Sequence, residues 1–209
     1  MFTSRTHRPM AAIFIIGRIL MSLGISLGAG AYLFAEPVFT FAAQQTQSVQ
    51  QVTQTKQTVP VHPIEVDIPS IKKSIPLIKV GLTNTGNMDV PHNYVQAGWY
   101  MNGPVPGEVG SAVIDGHVDN GGLSPTIAGV FKKLDNVTAG DIITVKLSDG
   151  TSAKFKVTAS NVYAYNAFPS GIVFNQNGGS YIKIITCHGT WLPGAKTYNQ
   201  RLVVTAELV

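Results

Sequence analysis

The sequence predicts a mainly β fold for residues 64–209, built as a closed barrel or a sandwich. Three observations support this prediction. Short runs rich in Val, Ile, Thr and Phe are separated by Gly, Pro, Asn and Asp. Asp149-Gly150 lies between two such runs and supplies the positive φ values of a tight hairpin turn. Helical content is expected to be low, with one turn near Asn93–Tyr100 and another near Val130–Leu134.

Residues 1–43 have a different composition, which predicts a cytoplasmic tail and a membrane anchor. Arg5 and Arg8 precede a stretch from Ala11 to Ala35 that is apolar or small except for Arg18 and two serines. A membrane helix needs about 20 apolar residues, and flanking positive charge favours the cytoplasmic side. We therefore expect a single-pass protein of the cell membrane whose C-terminal part is extracytoplasmic. A cleaved signal peptide is the alternative, although its apolar region usually has only about 7–15 residues.

Residues 44–63 are predicted to form a disordered stalk. The segment is rich in glutamine and threonine, has one lysine and two prolines, and shows no large apolar periodicity. Such a composition cannot bury a core. The stalk would hold the domain that begins at Ile64 away from the membrane.

The strands of that domain are predicted where apolar runs stand between turn residues. They cover Ile64–Ile68, Leu77–Val80, Ser111–Asp115, Ile142–Leu147, Ala153–Tyr163, Tyr181–Cys187 and Arg201–Leu208.

The formal net charge of +4 does not indicate a nucleic-acid partner. From Ile64 onward, eleven Lys and Arg stand against ten Asp and Glu, so the surplus lies at the N-terminal end. Nucleic-acid binding needs a concentrated basic face, which this domain lacks. His7, His62 and His92 are scattered without metal-ligand spacing, so neither a metal nor a cofactor is expected.

Cys187 is the only cysteine of the 209 residues. An exported domain that uses cysteine for stability would carry an even number, so this thiol is a reactive group, a buried small hydrophobe or an intermolecular partner. It ends one apolar run, His117 ends another, and Arg201 opens the last. Together they could supply a nucleophile, a proton-transfer group and a cation that stabilises an oxyanion.

These segments resemble the sortases, the cell-surface cysteine transpeptidases of bacteria, and most strongly their class F-like branch. The resemblance covers almost all of residues 63–209. It rests on the common order of several segments, each weak alone: Ile68-Pro69-Ser70-Ile71, Asn87-Met88-Asp89-Val90-Pro91, Ala97-Gly98-Trp99-Tyr100, Ser111-Ala112-Val113-Ile114-Asp115-Gly116-His117, Ile184-Ile185-Thr186-Cys187 and Asn199-Gln200-Arg201-Leu202-Val203-Val204.

The resemblance implies a closed eight-stranded sortase-type β-barrel with short helices. It implies Cys187 as nucleophile, His117 as general acid/base, Arg201 as stabiliser of substrate and oxyanion, and Thr186 as a substrate-binding residue. The implied reaction cleaves an LPxTG-like C-terminal sorting motif of a surface protein through a thioester. The acyl group then passes to an amine of a peptidoglycan precursor or a pilin lysine, with hydrolysis as a side activity.

Three features leave alternatives open. His188 follows the cysteine where the family often has a small residue, but adjacent strand residues point to opposite faces, so we expect it to face away from the groove of the thiol. Asp115 lies two residues before His117 and could orient the imidazole, although exposed acidic residues are common. A non-catalytic stalked surface-binding barrel and a cysteine hydrolase on the same fold are the alternative functions.

Overall fold

The computed structural model describes residues 60–121 and 127–209. The predicted tail and anchor, and most of the predicted stalk, lie outside these residues and stay predictions. Within the described ranges there is no helix long and apolar enough to cross a membrane.

Residues 60–121 and 127–209 form eight strands. They are β1 Pro63–Ile68, β2 Lys73–Val80, β3 Ala97–Tyr100, β4 Gly110–Asp115, β5 Ile142–Leu147, β6 Ser152–Ala164, β7 Ser180–Leu192 and β8 Thr197–Leu208. The helix α1 spans Ser170–Val173, and short 3-10 helices span Pro69–Ile71, Leu134–Asn136 and Tyr165–Ala167. The sequence left a closed barrel and a sandwich as alternatives. The barrel is confirmed, since the strands close in the order β1-β2-β3-β4-β7-β8-β6-β5.

Neighbouring strands pair antiparallel except for β2 with β3 and β4 with β7, which run parallel. The predicted hairpin between β5 and β6 is confirmed, and Gly150 adopts φ +87° in its turn. Side chains from all eight strands alternate into one buried interior cluster, which is closed by Phe131, Leu134 and Val137 from the segment between β4 and β5. Burial of apolar area of this kind is the main stabilising contribution in a small domain.

The prediction of a helical turn near Asn93–Tyr100 is wrong, because residues 97–100 form β3. This strand has only four residues and contains a glycine, so it shows no clear alternation in sequence. It forms because β2 and β4 offer backbone partners on both sides. The turn predicted near Val130–Leu134 is present and leads into the 3-10 helix at Leu134–Asn136.

Strands β4, β7 and β8 each have an inner and an outer apolar face. Ile114, Ile184 and Val204 belong to the interior cluster. Val113, Ile185 and Val203 point the other way and form a second cluster with Val173 of α1 and with Phe168 and Phe174 beside it. The segment between β6 and β7 therefore covers part of the outer face, and the remainder of that face is where the site lies.

Candidate active site

Cys187 and Arg201 stand opposite each other on neighbouring strands. They are register partners in the antiparallel β7–β8 ladder. Cys187 lies two residues after Ile185, and Arg201 lies two residues before Val203, so strand alternation places both on the outer face. The thiol is free and half-buried.

Burial raises the pKa of the Cys187 thiol above its usual value. The charge of Arg201 and a hydrogen bond from the Tyr198 backbone N–H lower this pKa, but by less than burial raises it, and the charges of Asp119 and Asp115 raise it further. The thiol is therefore mainly protonated at neutral pH, and the reactive thiolate is a minor species.

Arg201 is held by its own strand. Its Nη1 donates to the backbone carbonyls of Tyr198 at 3.0 Å and Gln200 at 2.9 Å. Its Nη2 donates to the Thr197 hydroxyl at 2.8 Å. Three acceptors fix the planar guanidinium, whose geometry an ammonium group could not reproduce.

His117 follows the end of β4 and is held by a different part of the chain. Its Nε2 lies 2.8 Å from the carbonyl oxygen of Pro91, so the ring donates to a main-chain acceptor in the segment between β2 and β3. The Tyr94 ring packs against the imidazole at 4.9 Å between centroids. The imidazole is thus oriented by the β2–β3 segment and not by its own strand.

Gly116 brings His117 to the end of β7. Its N–H donates to the Ile185 carbonyl at 3.2 Å, and its own carbonyl accepts a bond of 2.8 Å from the Thr186 hydroxyl. A Cβ at this position would lie 2.7 Å from the Phe131 ring, so only glycine fits. The Thr186 side chain is buried and its hydroxyl is used in this bond; its role in binding substrate stays a prediction.

The structure brings the four predicted site residues together around one pocket of about 310 Å³, which is lined by Cys187, His117, Arg201 and Thr186. Trp191 and Tyr198 form another part of its wall. The roles of the four residues remain predictions, but their common location follows from the fold.

The Tyr198 hydroxyl joins the start of β8 to the loop after β4. It donates to Asp119 Oδ2 at 2.5 Å, and the same oxygen lies 3.6 Å from Lys132 Nζ. Burial and this bond to the carboxylate raise the pKa of Tyr198 to about 12. The phenol therefore remains a donor throughout the neutral range, and the wall of the pocket keeps this contact.

A larger pocket of about 700 Å³ adjoins the first and shares Val90, Asp115, Ile185 and Arg201 with it. Its remaining lining is mixed: the apolar and aromatic members include Leu82, Met88, Tyr100, Phe168 and Phe174, and the polar ones are Asn87, Asn166 and Ser170. The two pockets together make one groove along the outer face, with Cys187 in the smaller part.

His188 does not line the pocket that holds His117 and Arg201. It lines a third pocket of about 380 Å³, which Cys187 also borders. This placement agrees with the expectation from strand alternation, and it leaves His117 as the imidazole of the groove.

The sequence did not indicate that Asp115 is buried and lines the site. Asp115 is buried at the end of β4, with only 9% of its surface exposed. It lines both pockets, and among the described residues no hydrogen bond joins its carboxyl to the His117 ring. Burial and then the charge of Asp89 raise its pKa to about 8. Its position two residues after the apolar Val113 was the one signal that could have indicated burial.

The Pro91 and Tyr94 contacts with His117 were not predicted. They join residues more than twenty positions apart through a segment without regular structure. Pro91 ends one of the segments that resemble the sortases, but nothing in that segment indicated that the Pro91 carbonyl would face an imidazole.

Comparison with known proteins agrees with this arrangement. The family model described as Sortase domain matches residues 66–209. No curated protein sequence matches the chain.

Among solved structures, the chain is similar to sortase A from Corynebacterium diphtheriae, with 23% identity and a TM-score of 0.55 over 72% of this chain. It is similar to sortase C-1 from Actinomyces oris, with 22% identity and a TM-score of 0.53 over 69% of this chain and 72% of that one. Streptococcus agalactiae sortase C1 gives 24% identity and a TM-score of 0.52, covering 69% of this chain and 66% of that chain.

The chain spans 61% of the C. diphtheriae protein, and at these identities the likeness shows the fold alone. The family model spans more than half of the chain, from the first strand to the last residue. The resemblance to the class F-like branch stays an expectation. The chain belongs to the sortase family.

Proposed function

We propose that this protein is a membrane-anchored cysteine transpeptidase that cleaves an LPxTG-like sorting motif and transfers the acyl group to an amine. One observation carries the proposal. A thiol and a guanidinium that face each other across two strands share a pocket with an imidazole. A nucleophile, a proton-transfer group and a permanent cation are what acyl transfer at a peptide carbonyl requires.

In the first half-reaction, Cys187 Sγ attacks the carbonyl carbon of the Thr or similar residue in the motif. His117 accepts the thiol proton and then delivers it to the nitrogen of the leaving peptide, so the C–N bond breaks and a thioester forms. Arg201 borders the pocket beside Cys187 and supplies positive charge for the developing oxyanion.

In the second half-reaction, an amine attacks the thioester carbonyl, the C–S bond breaks and Cys187 leaves as the thiolate. The neutral amine loses one proton as the amide forms, and His117, which lines the same pocket, accepts this proton and returns it to the Cys187 sulfur. A peptidoglycan precursor or a pilin lysine is the proposed acceptor. Water in place of the amine gives hydrolysis.

The raised pKa of Cys187 favours a mechanism in which the thiolate forms only after the substrate has bound. A thiol that stays protonated in the free enzyme reacts slowly with incidental electrophiles. Proton transfer to His117 in the occupied groove then produces the nucleophile where the substrate carbonyl lies.

The larger pocket supports binding of the motif in an extended form. The apolar and aromatic part of its mixed lining suits the side chains that precede the scissile bond, and its shared border leads to Cys187. We further propose that residues 1–43 anchor the enzyme in the cell membrane and that residues 44–63 hold the barrel outside the cytoplasm.

The test compares the wild-type protein with Cys187→Ala, using an internally quenched LPxTG-type peptide with and without an added glycine-peptide amine. We expect cleavage, an acyl-enzyme in intact-mass spectra and an amide product with the amine. We expect none of these with Cys187→Ala, which removes one sulfur and keeps the fold, as circular dichroism would record.

A matched pair of histidine variants adds a control. His117→Ala should abolish cleavage, whereas His188→Ala, one residue from the nucleophile but outside the groove, should keep most of it. Cleavage without amide product would indicate the hydrolase. Binding without cleavage would indicate the surface-binding barrel.

A further inference from the structure

The Asp115 carboxyl stands at the junction of the two pockets that form the groove. It lines the smaller pocket together with Cys187 and the larger pocket together with Phe168 and Phe174. It is nine-tenths buried, with 9% of the residue exposed. An acidic side chain of this degree of burial is rare unless it has a partner.

One oxygen of this carboxyl has no partner in the described part of the chain. Asp115 Oδ1 is fully buried and makes no hydrogen bond. It lies over Gly98, its register partner on β3, at 2.7 Å from where a Cβ would stand. The absence of a side chain at Gly98 therefore makes the space for the carboxyl. Oδ1 therefore faces the β3 backbone, out of reach of a ligand in the groove, and Oδ2 is the oxygen through which the carboxyl can bond such a ligand.

The surroundings favour the neutral form of this acid. Burial and then the charge of Asp89 raise its pKa to about 8, so at neutral pH the carboxyl carries an O–H donor beside a carbonyl acceptor. Asp89 acts on it by its charge, and the titratable and charged groups that share the two pockets with it are Tyr94, Tyr100, His117, Asp119, Tyr165, Cys187, Lys196, Tyr198 and Arg201.

We infer that Asp115 is a substrate-binding residue whose carboxyl hydrogen-bonds the main chain of the sorting peptide where the peptide passes from the larger pocket to Cys187. The inference rests on the proposed function. An extended peptide presents C=O acceptors along each edge, and the O–H of a neutral carboxylic acid can donate to one of them. Neither an apolar residue nor an ionised carboxylate offers this donor.

Ionisation of Asp115 acts twice against the reaction. It removes the O–H donor, and its negative charge raises the pKa of Cys187 further. Catalytic efficiency on the peptide therefore falls as the pH rises through about 8 and is retained below that value. Because other groups of the groove also titrate, the difference between wild type and an Asp115 variant isolates this effect.

The experiment measures kcat and KM on an LPxTG-type peptide between about pH 6 and 9, for full-length wild type, Asp115→Asn and Asp115→Ala. Asp67→Asn is the control, since Asp67 lies on β1 and lines none of the three pockets. Alkylation of Cys187 by iodoacetamide at neutral pH reports on the thiol without the peptide.

We expect Asp115→Ala to raise KM about tenfold at neutral pH, as loss of a buried hydrogen bond does, while the alkylation rate stays within about twofold. Asp115→Asn keeps a donor and an acceptor and does not titrate. Its KM should stay within about threefold of the wild-type KM at neutral pH. It should not show the increase in KM above pH 8 that we expect of the wild type.

An unchanged KM in Asp115→Ala, or an Asp115→Asn profile identical to wild type, would overturn the inference. If Asp115→Ala has a much lower melting temperature than wild type, the pH profile of Asp115→Asn alone tests the inference. If wild type cleaves no sorting peptide, the proposed function itself fails and this inference falls with it. Wild-type cleavage with indifferent Asp115 variants rejects the inference only.

Discussion

The two halves of the candidate site are held by different kinds of structure. Cys187 and Arg201 are partners in a regular ladder between two long strands. His117 lies beyond the end of β4 and depends on a bond to Pro91 and on the Tyr94 ring, both in an irregular segment. Strand register therefore places the thiol and the guanidinium, whereas a contact with an irregular segment places the imidazole. Irregular segments open locally more readily than paired strands, so we expect the imidazole to be the more easily displaced group.

The half of the site that the β7–β8 ladder holds is tested by Arg201→Lys, for which we expect the largest effect. The positive charge is kept, but the planar guanidinium that donates hydrogen bonds to Tyr198, Gln200 and Thr197 is lost. Catalytic efficiency should fall by about 100-fold or more, the usual cost of removing one oxyanion stabiliser. Steady-state kinetics with the sorting peptide measures it, and a loss below about fivefold would mean that Arg201 supplies only positive potential.

Between the two halves stands Asp115, whose burial should cost stability. Its pKa is raised from 3.8 to about 8, so the native state holds a proton that the unfolded chain has released. The contribution of Asp115 to the free energy of unfolding is therefore most favourable below about pH 4 and declines as the pH rises toward 8. Asp115→Asn should be more stable than wild type at pH 8, by on the order of a few kcal/mol, and not at pH 4.

Thermal melts at both pH values measure this difference. Equal melting temperatures of the two proteins at pH 8 would contradict it. The Asp67→Asn variant serves again as the control, and it should show no such pH-dependent gain.

The other half of the site, His117 and the β2–β3 segment that holds it, is tested by Tyr94→Ala. The change removes the ring that packs on the imidazole and leaves the β7–β8 ladder untouched. We expect kcat to fall by roughly tenfold through loss of orientation, with the melting temperature nearly unchanged. Iodoacetamide alkylation of Cys187 should keep its rate. A parallel loss of stability would show that the β2–β3 segment is part of the barrel core.

The smallest effect is expected from removal of residues 1–58. The sequence of the predicted stalk has no apolar face to dock on the barrel, so the shortened protein should be soluble and should cleave the peptide within about twofold of the full chain. The full-length protein should partition with membranes and keep its first residues. Mature protein that starts near Gln44 in the medium would instead indicate a cleaved signal peptide.

Much of the barrel was predictable because its strands carry local signals. Seven runs of apolar and β-branched residues were placed correctly, and the turn at Asp149-Gly150 followed from the φ values that glycine allows. The missing strand, β3, has four residues with no alternation, and its existence depends on partners at both edges. Strand ends were also short in the prediction, since β7 and β8 continue past Cys187 and before Arg201.

By itself, the sequence determined the β-rich domain, the change of composition that precedes it, and the three chemical groups that end or open apolar runs. These are local properties: composition, alternation and the identity of single residues. Only the tertiary structure decided that Cys187 faces Arg201, that Pro91 orients His117, and that Asp115 is buried over Gly98. Those facts depend on contacts between distant segments, because register, burial and a raised pKa arise only when the barrel brings separate strands together.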